Sequence, residues 1–344
     1  MPPVKPPAKA LVTGANGYLA VWVVRQLLEE GLAVRGTVRS MAKGKYLNTM
    51  FAEYGDRFEL VEVEDITAEG AFDKAVEGVE LVQHTASPFN WDFKSPDELI
   101  VPAVQGTIRT LESIKNHGAA VKRVVITSSA VAVYRRSDKP EVWTESDWND
   151  PSVEAVKSGD ASPAMVYPAS KTLAEKAAWE FYEKNKNNVG WDIVTINPPY
   201  IWGPPIHEVS KASSLNASLA DLYAAVVTGS MDKERLTTTG NGYVDVRDAA
   251  CAHVLAGTAE KAGGERILVS AAGLFWQNAL DAANALIPSP VPDLPKGYPD
   301  AIKGKKPPHN YVTRKSEELL GLMYRPLEVT IRDTLVDFKA RGWC

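Results

Sequence analysis

A short apolar run, Lys9 to Thr13 (KALVT), passes directly into Gly14, Ala15, Asn16, Gly17, Tyr18, Leu19 and Ala20, and an amphipathic stretch from Val21 to Glu30 follows before Gly31. Strand, glycine turn and helix in that order restrict the fold more than any other feature of the chain. In this context a G-x-x-G-x-x-A pattern has a mechanical meaning. Gly14 permits the tight turn, Gly17 lets backbone approach a pyrophosphate at the helix N-terminus, and Ala20 allows close helix–strand packing. The turn therefore predicts a dinucleotide site in which Asn16, Tyr18 and Leu19 join the two glycines.

Further apolar segments recur at the intervals such a fold needs: Ala33 to Val38, Phe58 to Val63, Glu80 to Thr85, Val121 to Thr127, Val189 to Asn197 and Arg266 to Ser270. Their continuous apolar character, with helical stretches near Glu69–Glu77 and Leu99–His117 between them, predicts a parallel sheet covered on both faces. After the second strand, where NAD sites usually place a carboxylate on the ribose, the chain has Arg39, with Lys43 four residues on. A guanidinium suits a 2′-phosphate, because it offers several donors in a rigid fork and keeps its charge. NADP(H) is thus expected over NAD(H). Asp65 and Ile66 follow the third strand, placed to accept from the adenine amino group and to flank its ring. Thr85, Ala86 and Ser87 follow the fourth as a small-residue loop beside the dinucleotide; His84 before them reads as a packed residue without chemistry.

Tyr167 and Lys171 stand four residues apart at the start of a further helix, on one face and about 6 Å apart along the axis. An ammonium beside a phenol favours the phenolate and brings acid–base exchange toward neutral pH. The fifth strand ends in Thr127, Ser128 and Ser129, at the carboxyl edge where open α/β sheets bind ligands. One serine there can hold a carbonyl oxygen while Tyr167 supplies the proton. Ser129 is the candidate, although adjacent strand residues point to opposite faces and sequence alone does not say which faces the cleft.

These motifs together resemble the extended short-chain dehydrogenase/reductases, in the branch of plant dihydroflavonol and cinnamoyl-CoA reductases and fungal NADPH-dependent aldehyde, ketone and methylglyoxal reductases. Gly14, Gly17 and Ala20, Arg39 and Lys43, Asp65 and Ile66, and Ser129, Tyr167 and Lys171 carry the resemblance, with Pro198 to Pro204 (PPYIWGP) and Tyr243 to Asp248 (YVDVRD) downstream. It extends from about Lys9 to Lys339. Gln105 departs from it, standing where many relatives have asparagine. The resemblance implies a Rossmann fold with a smaller mixed α/β substrate lobe, and Pro198 and Tyr200 beside the nicotinamide. It also implies reduction of a ketone or aldehyde by NADPH, with Ser129 holding the oxygen, Tyr167 protonating it, and Lys171 lowering the phenol pKa and contacting the nicotinamide ribose. The expected division is 1–198 with 240–262 for the dinucleotide domain, and 199–239 with 263–344 for the substrate lobe.

Phe89, Trp91, Val131, Tyr134 and Trp202 are the expected substrate walls, suited to an apolar or aromatic carbonyl compound. The alternative for the walls is aromatic filling of the small-lobe core. A nucleotide-sugar epimerase or dehydratase, or a hydroxysteroid-type dehydrogenase, would use the same triad, and a non-catalytic dinucleotide-binding regulator remains a third reading. The net charge of −5 without a long basic block argues against nucleic acid as a partner. Two cysteines, Cys251 and Cys344, make neither a disulfide framework nor a metal site and fit a reducing compartment. A cytoplasmic monomer or homodimer acting on a small-molecule carbonyl substrate is expected, with no metal. No signal-like or membrane-spanning stretch is evident.

Overall fold

The computed structural model describes residues 3–87, 92–135, 137 and 139–344. Seven strands form its main sheet: β1 (Lys9–Thr13), β2 (Ala33–Val38), β3 (Phe58–Glu62), β4 (Leu81–His84), β5 (Arg123–Thr127), β6 (Asp192–Asn197) and β7 (Arg266–Leu268). All pairings are parallel, in the order β3-β2-β1-β4-β5-β6-β7. Every residue of β4 and of β6 is buried, as a parallel strand covered on both faces requires. The strand order reverses between β1 and β4, which opens a crevice at their carboxyl ends. This is the Rossmann arrangement expected from the first turn.

Four helices matter most to the site: α1 (Tyr18–Glu29), α2 (Asp97–His117), α3 (Pro163–Asn185) and α4 (Val246–Thr258). The apolar face of α1, with Val21, Val24 and Leu28 buried, packs against α4 in the larger core cluster. The Asp245 side chain caps α4 by accepting from Arg247 N at 2.8 Å, which ends the strand of the Tyr243–Asp248 motif and starts its helix. Beneath the sheet Arg123 and Asp192, partners in the β5–β6 register, form a buried ion pair with N···O contacts of 2.6 and 3.0 Å. Gly263 is confined there by contact: an added Cβ would sit 2.1 Å from Asp192 Oδ2.

The smaller lobe has a three-stranded sheet in which Gly240–Asp245 pairs parallel with Tyr200–Trp202 and antiparallel with Ala272–Phe275. A separate parallel pair joins His309–Tyr311 to Glu141–Trp143. The chain after 263 returns first to the large sheet as β7, where Arg266 Nε donates to the buried Glu175 carboxylate on α3 at 2.5 Å. Gly240–Asp245 belongs to the small sheet although α4, directly after it, packs on the large one. The helix expected over 69–77 shrinks to Asp73–Val76, since Gly70 turns the chain at φ +70°. The C-terminal region does split into Arg314–Leu320 and Leu327–Ala340, with Gly321 closing the first at φ +65°. Among the described residues no helix is long and apolar enough to cross a membrane.

Candidate active site

The glycine turn is built from β1 and braced from two sides. Gly14 has φ +64°, and a Cβ there would lie 3.2 Å from that of Ala86, so the turn and the loop after β4 are in direct contact. Gly14 N donates to Thr37 Oγ1 at 3.1 Å and Ala15 N to Thr37 O at 2.8 Å, which ties the turn to β2. Thr13 Oγ1 accepts from Thr85 N and Ala86 N at 3.1 and 3.0 Å. Gly36 keeps the second side close, as its added Cβ would meet Ala15 at 2.7 Å. Thr13, Thr37 and Gly36 are braces that the glycine pattern did not reveal.

Past the turn, α1 starts without any side-chain cap and without an acidic residue in its first turn. Its first N–H groups therefore point, unneutralised by carboxylate, at the crevice between β1 and β4. Asn16 and Gly17 are accessible, and Arg39 and Lys43 are exposed beyond β2. Arg39 holds the Asp65 carboxyl down electrostatically, after the larger effect of hydrogen bonds from the Thr67 hydroxyl and N–H to Asp65 Oδ1 at 2.7 and 2.8 Å. Ile66 lies against α2, where an added Cβ on Gly106 would come within 2.8 Å of its Cδ1. Gln105, next to it on α2, is exposed.

Two of the expected cofactor side chains are turned elsewhere. The Tyr18 hydroxyl donates to Gly203 O at 2.8 Å and its ring is buried, so with Leu19 it belongs to the core and only its backbone reaches the turn. The Thr127 hydroxyl is 3.0 Å from His253 Nε2, in a chain that continues from His253 Nδ1 to Gln83 Oε1 at 2.9 Å. Burial holds His253 down near 3 and His84 near 4, so both imidazoles are neutral and structural. The absence of chemistry expected at His84 agrees with its contact to Thr13 Oγ1 at 3.1 Å.

The chemical centre lies at the carboxyl end of β5. Strand alternation separates its two serines. Ser128 Oγ donates to Glu175 Oε2 at 2.5 Å in the interior, whereas Ser129 lies on the Tyr167 side, where it lowers the phenol pKa. Ser129 Oγ also accepts from Val131 N at 3.3 Å and approaches Pro198 O at 3.4 Å. Tyr167 stands in the second turn of α3, after Pro163 at the helix start, and Lys171 one turn further. Lys171 Nζ donates to Ser87 Oγ at 2.9 Å and lies 5.9 Å from the Tyr167 ring centre. The loop after β4 thus joins the glycine turn, through Ala86, to the α3 pair, through Ser87.

Burial is the largest influence on the protonation of both groups. Burial pushes Tyr167 up to about 12, against the lowering effect of the Ser129 hydrogen bond. Burial also brings Lys171 down to about 8. The phenol is therefore held as the acid, and the ammonium stands by it as a charge of reduced stability.

Of the expected substrate walls, Phe89 and Trp91 lie outside the described residues. Tyr134 accepts from Asn241 Nδ2 at 3.1 Å and rests on His309, ring centres 4.2 Å apart. Val131 is fixed by Asn149 Nδ2, which donates to its carbonyl at 3.0 Å. Tyr200 is partly exposed and packed edge-on against Trp276, and burial pushes its phenol up to about 12. Trp202 is a correction: it is fully buried, stacked on Tyr243 at 5.4 Å, and fills the small-lobe core. A planar ring on the inner face of a short strand has more to gain from that stack than from solvent.

The profile of the NAD dependent epimerase/dehydratase family matches residues 10–270. The chain belongs to that family. The NADPH-dependent methylglyoxal reductase of Saccharomyces cerevisiae is 36% identical over 337 residues, covering 94% of this chain and 96% of the yeast one. A putative NADPH-dependent methylglyoxal reductase of Candida albicans is 37% identical over 335 residues, with 94% and 96% covered. The crystal structure of the yeast methylglyoxal/isovaleraldehyde reductase complexed with NADPH superposes with a TM-score of 0.84 at 33% identity, over 98% of this chain and all of that one. Family membership agrees with the Rossmann sheet order.

Proposed function

We infer that the protein reduces an aldehyde or ketone to the alcohol with NADPH. The observation that carries this reading is the convergence of Ser129, at the end of β5, and Tyr167, whose pKa Ser129 lowers, with Lys171 Nζ 5.9 Å from the phenol ring one turn on along α3. The residues fit the dinucleotide. A positive-φ glycine in contact with Ala86, an uncapped helix start, and exposed Arg39 and Lys43 after β2 supply the pyrophosphate and 2′-phosphate partners. NADPH supplies the hydride, which goes to the carbonyl carbon. As the carbon–oxygen double bond opens, Ser129 holds the oxygen and Tyr167 gives it the phenolic proton. The phenolate left behind is met by the Lys171 ammonium and the Ser129 hydroxyl, donors already in place before charge develops. Ser87, which accepts from Lys171 Nζ at 2.9 Å, holds that ammonium in place, where it would contact the nicotinamide ribose of a bound dinucleotide.

Val131, Tyr134 and Tyr200 then border the carbonyl compound, an apolar or aromatic one, and the small three-stranded sheet closes over it. The large sheet with α1 to α4 holds the dinucleotide. A cytoplasmic monomer or homodimer without a nucleic-acid partner fits the charge and cysteine content. The test is NADPH oxidation with a panel of aryl ketones, keto esters, diketones and aldehydes, run in parallel with NADH. No turnover with any member would overturn the reductase reading.

A further inference from the structure

Glu175 lies on α3 eight residues after Tyr167 and four after Lys171, about 12 Å along the same helix face from the acid. Its side chain is fully buried and its carboxylate gathers donors from three strands. Oε2 accepts from Ser128 Oγ at 2.5 Å and Asn197 Nδ2 at 2.8 Å; Oε1 accepts from Thr195 Oγ1 at 3.1 Å and Arg266 Nε at 2.5 Å. Stability alone does not explain the arrangement, since a buried ion pair is often replaced by apolar residues without loss.

Two of these donors, Ser128 and Asn197, border Ser129. Ser128 precedes it in the chain. The Asn197 amide that reaches Glu175 also donates to Ser129 O at 3.2 Å. Pro198, next to Asn197, accepts from Ala130 N at 2.9 Å and faces Ser129 Oγ. Arg266 holds the far side of the carboxylate from β7, with Nη1 on the carbonyls of Glu145 and Asp147 at 2.5 and 2.8 Å and its plane 3.5 Å from the Trp148 ring centre. One carboxylate thus joins the helix that carries Tyr167 to the strand end that carries Ser129.

We propose that Glu175 is a positioning residue that sets the separation of Ser129 and Tyr167, acting through Ser128 and Asn197. It rests on the reductase reading for its kinetic consequence, and on geometry alone for its structural one. Removing the charge lets α3 and the end of β5 move independently, and a misplacement of about 1 Å at the reacting groups costs on the order of 100-fold in rate.

The experiment compares Glu175→Gln and Ser128→Ala with wild type in steady-state reduction, NADPH fluorescence titration, and turnover with 4-deuterated NADPH. Ser128→Ala removes one donor and leaves the ion pair intact, so it serves if Glu175→Gln does not fold. The expected result is a kcat lowered about 10- to 100-fold in Glu175→Gln and about 3- to 10-fold in Ser128→Ala. NADPH affinity stays within about threefold, and the deuterium isotope effect on kcat increases as hydride transfer becomes limiting. A folded Glu175→Gln that melts earlier but keeps kcat and isotope effect within about twofold overturns the proposal. If wild type reduces no carbonyl compound, the reductase reading fails, and crystal structures decide this inference. An altered Ser129–Tyr167 separation in Glu175→Gln supports it, and a separation unchanged from wild type refutes it.

Discussion

Burial shifts Tyr167 and Lys171 in opposite directions, one up to about 12 and the other down to about 8. Tyr167 is therefore protonated throughout the neutral range, and replacing it by Phe should lower kcat by about 10²- to 10⁴-fold while NADPH still binds. Single-turnover rates with saturating cofactor measure this. The rate of reduction should fall as pH rises through about 8, where Lys171 loses its charge, and the alkaline limb should be absent from the NADPH binding curve. The same shift has a sign for stability. Lys171 is lowered below its ordinary value of 10.5, so between about pH 8 and 10.5 the unfolded chain holds the extra proton and stability rises with pH across that window. Below pH 8 the full cost of the buried ammonium is present. Lys171→Met should accordingly melt a few degrees higher than wild type at pH 7, about 2–4 °C, with the difference shrinking by pH 10, even as activity is lost. At the other end of the crevice, Arg39→Ala should reduce the NADPH-over-NADH preference about 10- to 100-fold, the value of a charge-assisted phosphate contact, in paired kcat/KM measurements.

At the scale of elements, the sequence was most readable where local chemistry dictates local shape. Gly14 and Gly17 marked the turn because a positive φ and a close approach leave few other residues eligible, and the pair at 167 and 171 marked a helix face. The choice of Ser129 over Ser128 needed coordinates, because the alternation of a strand is visible in sequence but its phase is not. The side chains of Trp202 and Tyr18 face the core, which the sequence did not reveal for a related reason. An aromatic next to a glycine-rich or proline-rich turn can face the ligand or the core, and only the packing partners, Tyr243 and the Gly203 carbonyl, decide. Glu175 did leave a signal, an acid continuing the 167–171 spacing by one more turn in a helix whose outer face is already well supplied with charge. The paired elements also set a stability test. Arg123 and Asp192 tie β5 to β6 with no exposed atoms on the arginine, so Asp192→Ala, which strands a buried guanidinium, should cost about 3–5 kcal/mol in urea unfolding.

The whole molecule is held together by contacts between segments remote in sequence. The Tyr18 hydroxyl spans from the first helix to Gly203, and the Tyr223 hydroxyl donates to Trp343 O at 2.5 Å, fastening the C-terminal end to the smaller lobe. Neither was legible, since nothing local in a sequence announces a partner 185 or 120 residues away. The Glu175–Arg266 pair, 91 residues apart, has a consequence for how the protein is made. A nascent chain synthesised through β6 already contains every residue assigned to proton transfer, yet the counter-ion of its interior carboxylate has not been translated. Until Arg266 leaves the ribosome, folding α3 onto the sheet means burying a carboxylate that has hydrogen-bond donors but no counter-ion, a cost that disfavours docking of the helix. The centre is therefore expected to become fully stable only when the edge strand arrives.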